Sequence, residues 1–284
     1  MRRDILELRE FYATPLGAVA RAMVSRKLVE AWGDASALDV LGLGYPTPYL
    51  DRFRPRARRT VAAMPAAQGV EVWPAAGRTL ACLADECALP FSNALFDRIL
   101  VIHALEEADD PLAVLRDVWR VLAPSGRVIV VAPNRRGVWS NAESTPFGHG
   151  RPFTRTQLEG LMREAELEPT AWSRALFGPP LQWTARWAEG LEAVGARLWP
   201  GLSGLIMLEA VKQTFAMRPR GRRARARVFA PGVLAPAPVG AVAGAITPQV
   251  DPRALLGAPW GLEPAQQRPS LEGLREARGQ GVEP

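Results

Sequence analysis

The chain has 284 residues, enough for one large domain or two small ones, and its 48% apolar share with 9 Trp and 9 Phe excludes wholesale disorder. Its 35 basic and 29 acidic side chains leave a net charge of +6, yet six arginines and no acid lie between Arg218 and Arg227. That run accounts for the excess, so the basic balance describes a short segment and not a basic domain.

Taken in order, the N-terminus MRRDILELREFY carries charge where a signal peptide needs an apolar run. Ile5, Leu8 and Tyr12 have helical spacing, and Pro15 opens a second helix running to Ala31-Trp32 and a stop at Gly33. Ala37–Leu41 is a short apolar run stopped by Gly42 and predicts a buried strand. Further strands are expected at Thr60–Met64, Leu80–Leu83, Phe96–Ile102, Arg127–Ala132 and, last, Gly204–Ala210. Leu112, Leu115, Val118, Trp119 and Leu122 share a helix face, closed by Gly126. Thr154 and Gln157 have the spacing of a capping box at the start of a helix to Ala165. Strands alternating with helix-length segments imply βαβ units in a mostly parallel, three-layered sheet.

From Pro219 onward lie ten of the 26 prolines and nine of the 25 glycines, and the apolar residues there follow no helical or strand period. This divides the chain into a folded body, residues 1–217, and a disordered tail, residues 218–284, with a short helix near Ser270–Arg278 as an isolated candidate. Only Cys82 and Cys87 occur, too few for a disulfide framework and without the spacing of a zinc site, so no metal is expected. No run of about 18 apolar residues escapes interruption; prolines break the longest, Val228–Val250. A cytoplasmic protein without a transmembrane segment is expected.

Ligands in such sheets bind beyond the carboxyl ends of the strands. The first strand is followed by Gly42-Leu43-Gly44-Tyr45-Pro46, the third by Asp85-Glu86-Cys87-Ala88-Leu89-Pro90-Phe91, and Phe96-Asp97 opens the fourth. That strand runs into His103-Ala104-Leu105-Glu106, and Arg120-Val121-Leu122-Ala123-Pro124-Ser125-Gly126 precedes the fifth. In order and spacing, residues 37–133 resemble class I S-adenosylmethionine-dependent methyltransferases of the type 11 group. The resemblance implies a Rossmann-like fold with a seven-stranded sheet, helices on both faces, and S-adenosyl-L-methionine as cofactor. It places Gly42 and Gly44 along the methionine portion of that cofactor, Asp85 on the adenine amino group, Glu86 and Cys87 beside the ring, and His103 toward the methyl group. The candidate cofactor-binding residues are thus Gly42, Gly44, Tyr45, Met64, Asp85, Glu86, Cys87 and His103.

The chain departs from the pattern at three points. Val40 stands where the family has an acid, with Asp39 one residue early, and Pro46 replaces a third glycine. Met64 falls where an acid would hold the ribose, and no acid follows before Glu71.

The two histidines, His103 and His149, are the candidate catalytic residues, the second on a glycine-flanked loop where function concentrates. Each has a bland counterpart: a hydrogen-bonded histidine at a strand end, and a tight turn. The aromatic-rich stretch from Trp172 to Trp199 is either an acceptor-site insertion or a helix packed on the sheet. The arginine run lacks interleaved aromatics, so nucleic acid is not expected as partner. A methyltransferase acting on a small molecule or a protein is the expectation; the alternative is a non-catalytic pseudo-methyltransferase serving as a binding or regulatory module.

Overall fold

The computed structural model describes residues 2–181, 188–198, 200–212 and 227–228, all within one compact unit, Met1–Ala237. The strands are β1 (Asp39–Gly44), β2 (Arg59–Pro65), β3 (Ala81–Ala84), β4 (Phe96–Ile102), β5 (Leu122–Pro133), β6 (Leu167–Ala175), β7 (Leu205–Lys212) and the two-residue β8 (Arg227–Val228). The helices are α1 (Ile5–Ala13), α2 (Pro15–Trp32), α3 (Thr47–Leu50), α4 (Pro111–Val121), α5 (Arg155–Glu164) and α6 (Ala188–Leu198). One sheet has the order β3-β2-β1-β4-β5-β7-β6-β8. It is mostly parallel, as the βαβ pattern demands, but mixed: β7 runs antiparallel to both β5 and β6.

The core has two parts because the pleat sends alternate residues to opposite faces. Val40, Leu100, Ile102, Ile129 and Val131 pack with Leu8, Leu16, Val24 and Leu28 of α1 and α2. Leu41, Leu43, Ile99, Val101, Val128 and Val130 pack with Leu115 and Val118 of α4 and Leu158 and Met162 of α5. Burial on both faces is why these central strands read as continuous apolar runs.

Four sequence expectations shift. The first strand does not stop at Gly42: it continues to Gly44, because β2 pairs with it as far as Leu43 and β4 as far as Gly44. Helix α4 ends at Val121 and Leu122 turns directly into β5, so Gly126 lies within the strand and does not close the helix. The sheet has seven strands plus the short β8, and β6 was not anticipated. Pro169, Glu168 and Arg174 break up its apolar pattern, while β7 beside it supplies the pairing that makes it a strand. Arg227–Val228, inside the stretch assigned to the tail, pair with Ala171–Trp172 of β6; the rest of 218–284, the Ser270–Arg278 candidate and Trp183, Trp187 and Trp199 lie outside the described residues. No helix among the described residues is long and apolar enough to cross a membrane.

At the amino end of the sheet, Arg58 makes two hydrogen bonds to Asp39, at 3.0 and 2.7 Å. Asp39, the acid one residue early, is thereby committed to an ion pair far along β1 from the loop at Gly44. That hydrogen-bonded guanidinium holds the Asp39 carboxyl below the usual carboxylate range. A carboxyl depressed by folding stabilises above its unfolded pKa of about 4 and loses that contribution as pH falls through the folded value. Arg58→Ala is therefore expected to lower stability modestly at neutral pH, since Arg58 is largely exposed. In urea titrations the gap between variant and parent should shrink below about pH 4; equal midpoints at neutral pH would show that the pair contributes nothing.

Candidate active site

The loop after β1 is shaped by what lies next to it. Gly44 has φ +97°, and a Cβ there would run into the carbonyl oxygen of Ile102 at the end of β4. The Tyr45 amide donates to the same carbonyl at 2.9 Å. At Gly42 a Cβ would meet the ring of Pro46, so the proline standing in for a third glycine folds back over the first. Tyr45 is 2% exposed. Burial above all, with the Glu71 carboxylate nearby, pushes its phenol well above the ordinary value.

Sequence reasoning missed two residues here. Glu71 accepts a 2.5 Å hydrogen bond from the Thr47 hydroxyl and comes within 3.5 Å of the Tyr45 phenol. Gln68, fully buried, donates from Nε2 to the Gly44 carbonyl at 3.2 Å and leaves its Oε1 without a partner. Both follow β2 in irregular chain, where no period marks them. Met64 is fully buried in the core, so its side chain is not available to a ligand; the chain beyond β2 instead contributes Ala67 to the cleft described below.

Beyond β4, His103 adopts φ +53°, a left-handed conformation that costs a non-glycine residue on the order of 1 kcal/mol or more. Its Nε2 lies 2.7 Å from the Tyr12 hydroxyl, which lies 2.7 Å from the Tyr49 hydroxyl. Its Nδ1 is 3.4 Å from Glu106 Oε1, and its ring packs on Phe147 with centroids 4.7 Å apart. Desolvation, then Tyr49, pushes the Tyr12 phenol far up, so Tyr12 keeps its proton at neutral pH. One assignment of hydrogens satisfies the whole chain: Tyr49 donates to Tyr12, Tyr12 donates to Nε2, and Nδ1–H faces Glu106. His103 is thus engaged on both nitrogens.

A cleft of about 520 Å³ opens beyond β2, β3 and β4. Glu86, Glu106, Glu107 and Asp109 line it, against Arg2 and Arg151. Glu106 is buried, and its Oε2 accepts no hydrogen bond. Asp85 is exposed and caps a turn, accepting from the Cys87 amide at 2.8 Å. Cys87 is exposed too; partial burial, then Glu86 and Asp85, push its thiol up, which disfavours a nucleophilic thiolate. His149 does not join His103: its Nε2 meets the Arg3 guanidinium and the Glu143 carbonyl. Among the described residues no group of His, Cys, Asp and Glu has the arrangement of a metal site.

The loop from Leu89 to Asn93 is clasped to α4. Asp117 accepts from the Leu89 amide at 2.7 Å, and Arg120 donates to Leu89 O, Phe91 O and Asn93 Oδ1 while pairing with Asp117. Residues 38–130, which include the loop after β1, this clasp and the strands between, match the family model for a methyltransferase domain. Over that segment the chain is similar to methyltransferase domains.

Solved structures agree on its fold. An S-adenosylmethionine-dependent methyltransferase of Thermotoga maritima, described as a possible histamine N-methyltransferase, is 17% identical; the match covers 74% of this chain and 96% of that one, with a TM-score of 0.54. The (4+2)-cyclase SpnF is 19% identical over 66% of this chain and 79% of its own, with a TM-score of 0.50. At such identities the likeness speaks to the fold alone, and a cyclase on it shows that the fold does not dictate the reaction. No curated protein sequence matches the chain.

Gly44→Ala places a methyl group against a backbone carbonyl at positive φ, where no side chain can yield. The variant is expected to lose about 2 kcal/mol or more of stability by chemical denaturation, and a loss under about 0.5 kcal/mol would mean that the β1 and β4 loops are not locked together as described.

Proposed function

We propose that the chain is an S-adenosylmethionine-dependent methyltransferase acting in the cytoplasm on a small molecule or a protein, with its cofactor in the acid-lined cleft beyond β2, β3 and β4. The observation that carries this reading is the coincidence of that cleft with the loops of the matched methyltransferase segment. The residues present fit the group. A sulfonium cation with ribose hydroxyls and amino groups needs acceptors, and the cleft offers four carboxylates against two arginines, with a buried oxygen free of hydrogen bonds on each of Glu86 and Glu106. Gly150, whose Cβ would meet the Glu106 carbonyl, brings bare backbone to the wall beside these carboxylates.

In this reading Gly42, Gly44 and Tyr45 border the methionine portion. Asp85 accepts from the adenine amino group, Glu86 and Cys87 lie beside the ring, and Glu106 takes a hydroxyl or ammonium group. The role of ribose acid falls to no side chain at Met64. The bound cofactor supplies an activated methyl group, so the protein's task is mainly to hold the acceptor in line with it. A base is needed only where the acceptor must lose a proton early. His103, bonded to Tyr12 and 3.4 Å from Glu106, is a positioning residue for that carboxylate and does not itself line the cleft.

Calorimetric titration of the full chain with S-adenosylmethionine and with S-adenosylhomocysteine tests the reading. Binding of both is expected; absence of binding at millimolar ligand would overturn it and leave the non-catalytic module. Asp85→Ala should weaken binding severalfold, and an unchanged affinity would remove Asp85 from the adenine site.

A further inference from the structure

The first residues of the chain bond to nearly every loop that frames the cleft. Arg2, 9% exposed, lies in its wall with Nη1 2.6 Å from Glu86 Oε2 and Nη2 donating to Glu86 Oε1 at 2.9 Å. Nη2 also donates to the Ala104 carbonyl at 3.1 Å. The Arg3 amide donates to Glu107 at 2.9 Å, and its guanidinium reaches the Glu143 carbonyl and His149. The Ile5 amide donates to Gln68 O at 2.8 Å, and Tyr12 closes the series on His103. Residues 2–12 therefore span the loops after β2, β3, β4 and β5, and engage both histidines of the chain.

Ile5, Leu8, Phe11 and Tyr12 seat this segment in the core, and three features bear on how firmly the rest of it is held. Helix α1 has nine residues, too few to persist without docking. Its outer face, with Leu6 and Glu7, is exposed. The Arg2 Nε is buried without a hydrogen-bond acceptor, with Glu107 Oε2 at 3.7 Å, so the docked arm leaves a donor unsatisfied. Meanwhile the guanidinium holds Glu86 by one charge-assisted hydrogen bond and one close ionic contact, and so occupies the carboxylate that the reading above sets beside the cofactor's ring.

Resting on that reading of the cleft, we propose that residues 2–12 form a strap that closes the site, with Arg2 occupying Glu86 as an internal stand-in for the ligand's hydrogen-bond donors. A ligand that donates to Glu86 displaces Arg2, and by linkage a docked strap weakens the ligand by the same factor that the ligand weakens the strap. Displacement also frees Glu107 and His149 from Arg3, and so changes the acid-lined wall at the moment of binding.

Hydrogen exchange of the full chain, read on peptides spanning residues 5–12, tests this with and without S-adenosylhomocysteine. In the ligand-free protein, the paired substitution Arg2→Ala with Arg3→Ala should speed exchange there about tenfold, with β4 and β5 unchanged; Leu6→Ala, at an exposed position, should not. Parental protection in the paired variant would overturn the strap. With ligand, exchange in the parent should rise severalfold, and calorimetry should find the paired variant binding three- to tenfold tighter. Added protection on binding, or weaker binding by the variant, would overturn the competition and make Arg2 part of a closed, liganded site. If neither protein binds the ligand, the cofactor reading fails by itself, and ligand-free exchange still decides the strap. Should the paired variant not fold, Arg2→Lys, which keeps the charge but loses the two-point contact, should show the same direction in both measurements.

Discussion

The contact between Gly44 and the Ile102 carbonyl governs the arrangement of everything around the cleft. Two central parallel strands end side by side, and the chain leaving β1 must turn at once against the backbone of β4. Only a residue without a side chain, at positive φ, allows that approach. The turn seats Tyr45 on Ile102, presents Gly44 O to Gln68, and sends α3 off with Thr47 facing Glu71. On the other strand it leaves His103 in a left-handed conformation, with its ring directed at Tyr12 and Glu106.

The polar groups near this junction form two systems with different tasks. One is buried: the Tyr49 and Tyr12 hydroxyls and the His103 ring form a hydrogen-bonded chain whose far nitrogen lies 3.4 Å from Glu106. Low local dielectric strengthens such a chain and makes any broken member expensive, so α1 is tied to the sheet through His103 as well as through its apolar face. The other system borders the cleft and is unevenly satisfied, with Glu106 Oε2 and Arg2 Nε both lacking hydrogen-bond partners.

The motifs that marked the chain as methyltransferase-like are mostly architectural. Leu89-Pro90-Phe91 and the Asp117–Arg120 turn of α4 are widely separated in sequence, yet they are one clasp, joined by three hydrogen bonds, with a fourth from Arg120 to Asn93. Their common spacing reflects the βαβ unit that brings the loop after β3 onto the helix after β4. The same holds for Gly42, whose lack of a side chain is required by Pro46. A motif of this sort reports the fold faithfully and the chemistry only by position.

Alternation of apolar runs and helical faces was enough to determine the strands β1 to β5 and β7 and the helices α1, α2, α4 and α5, because burial writes itself directly into local composition. Strand β6 escaped, since a strand carrying Pro169, Glu168 and Arg174 is specified by its neighbour and not by its own pattern. The candidate site was legible as a set of loops: Glu86 does line the cleft, while Asp39 and Met64 turn out to serve the sheet and the core. Contacts between distant parts of the chain could not be read in advance. The ties of Arg2 to Glu86, Tyr12 to His103 and Glu71 to Thr47 join residues with no shared period, and each depends on side-chain reach across loops whose positions only the assembled sheet decides.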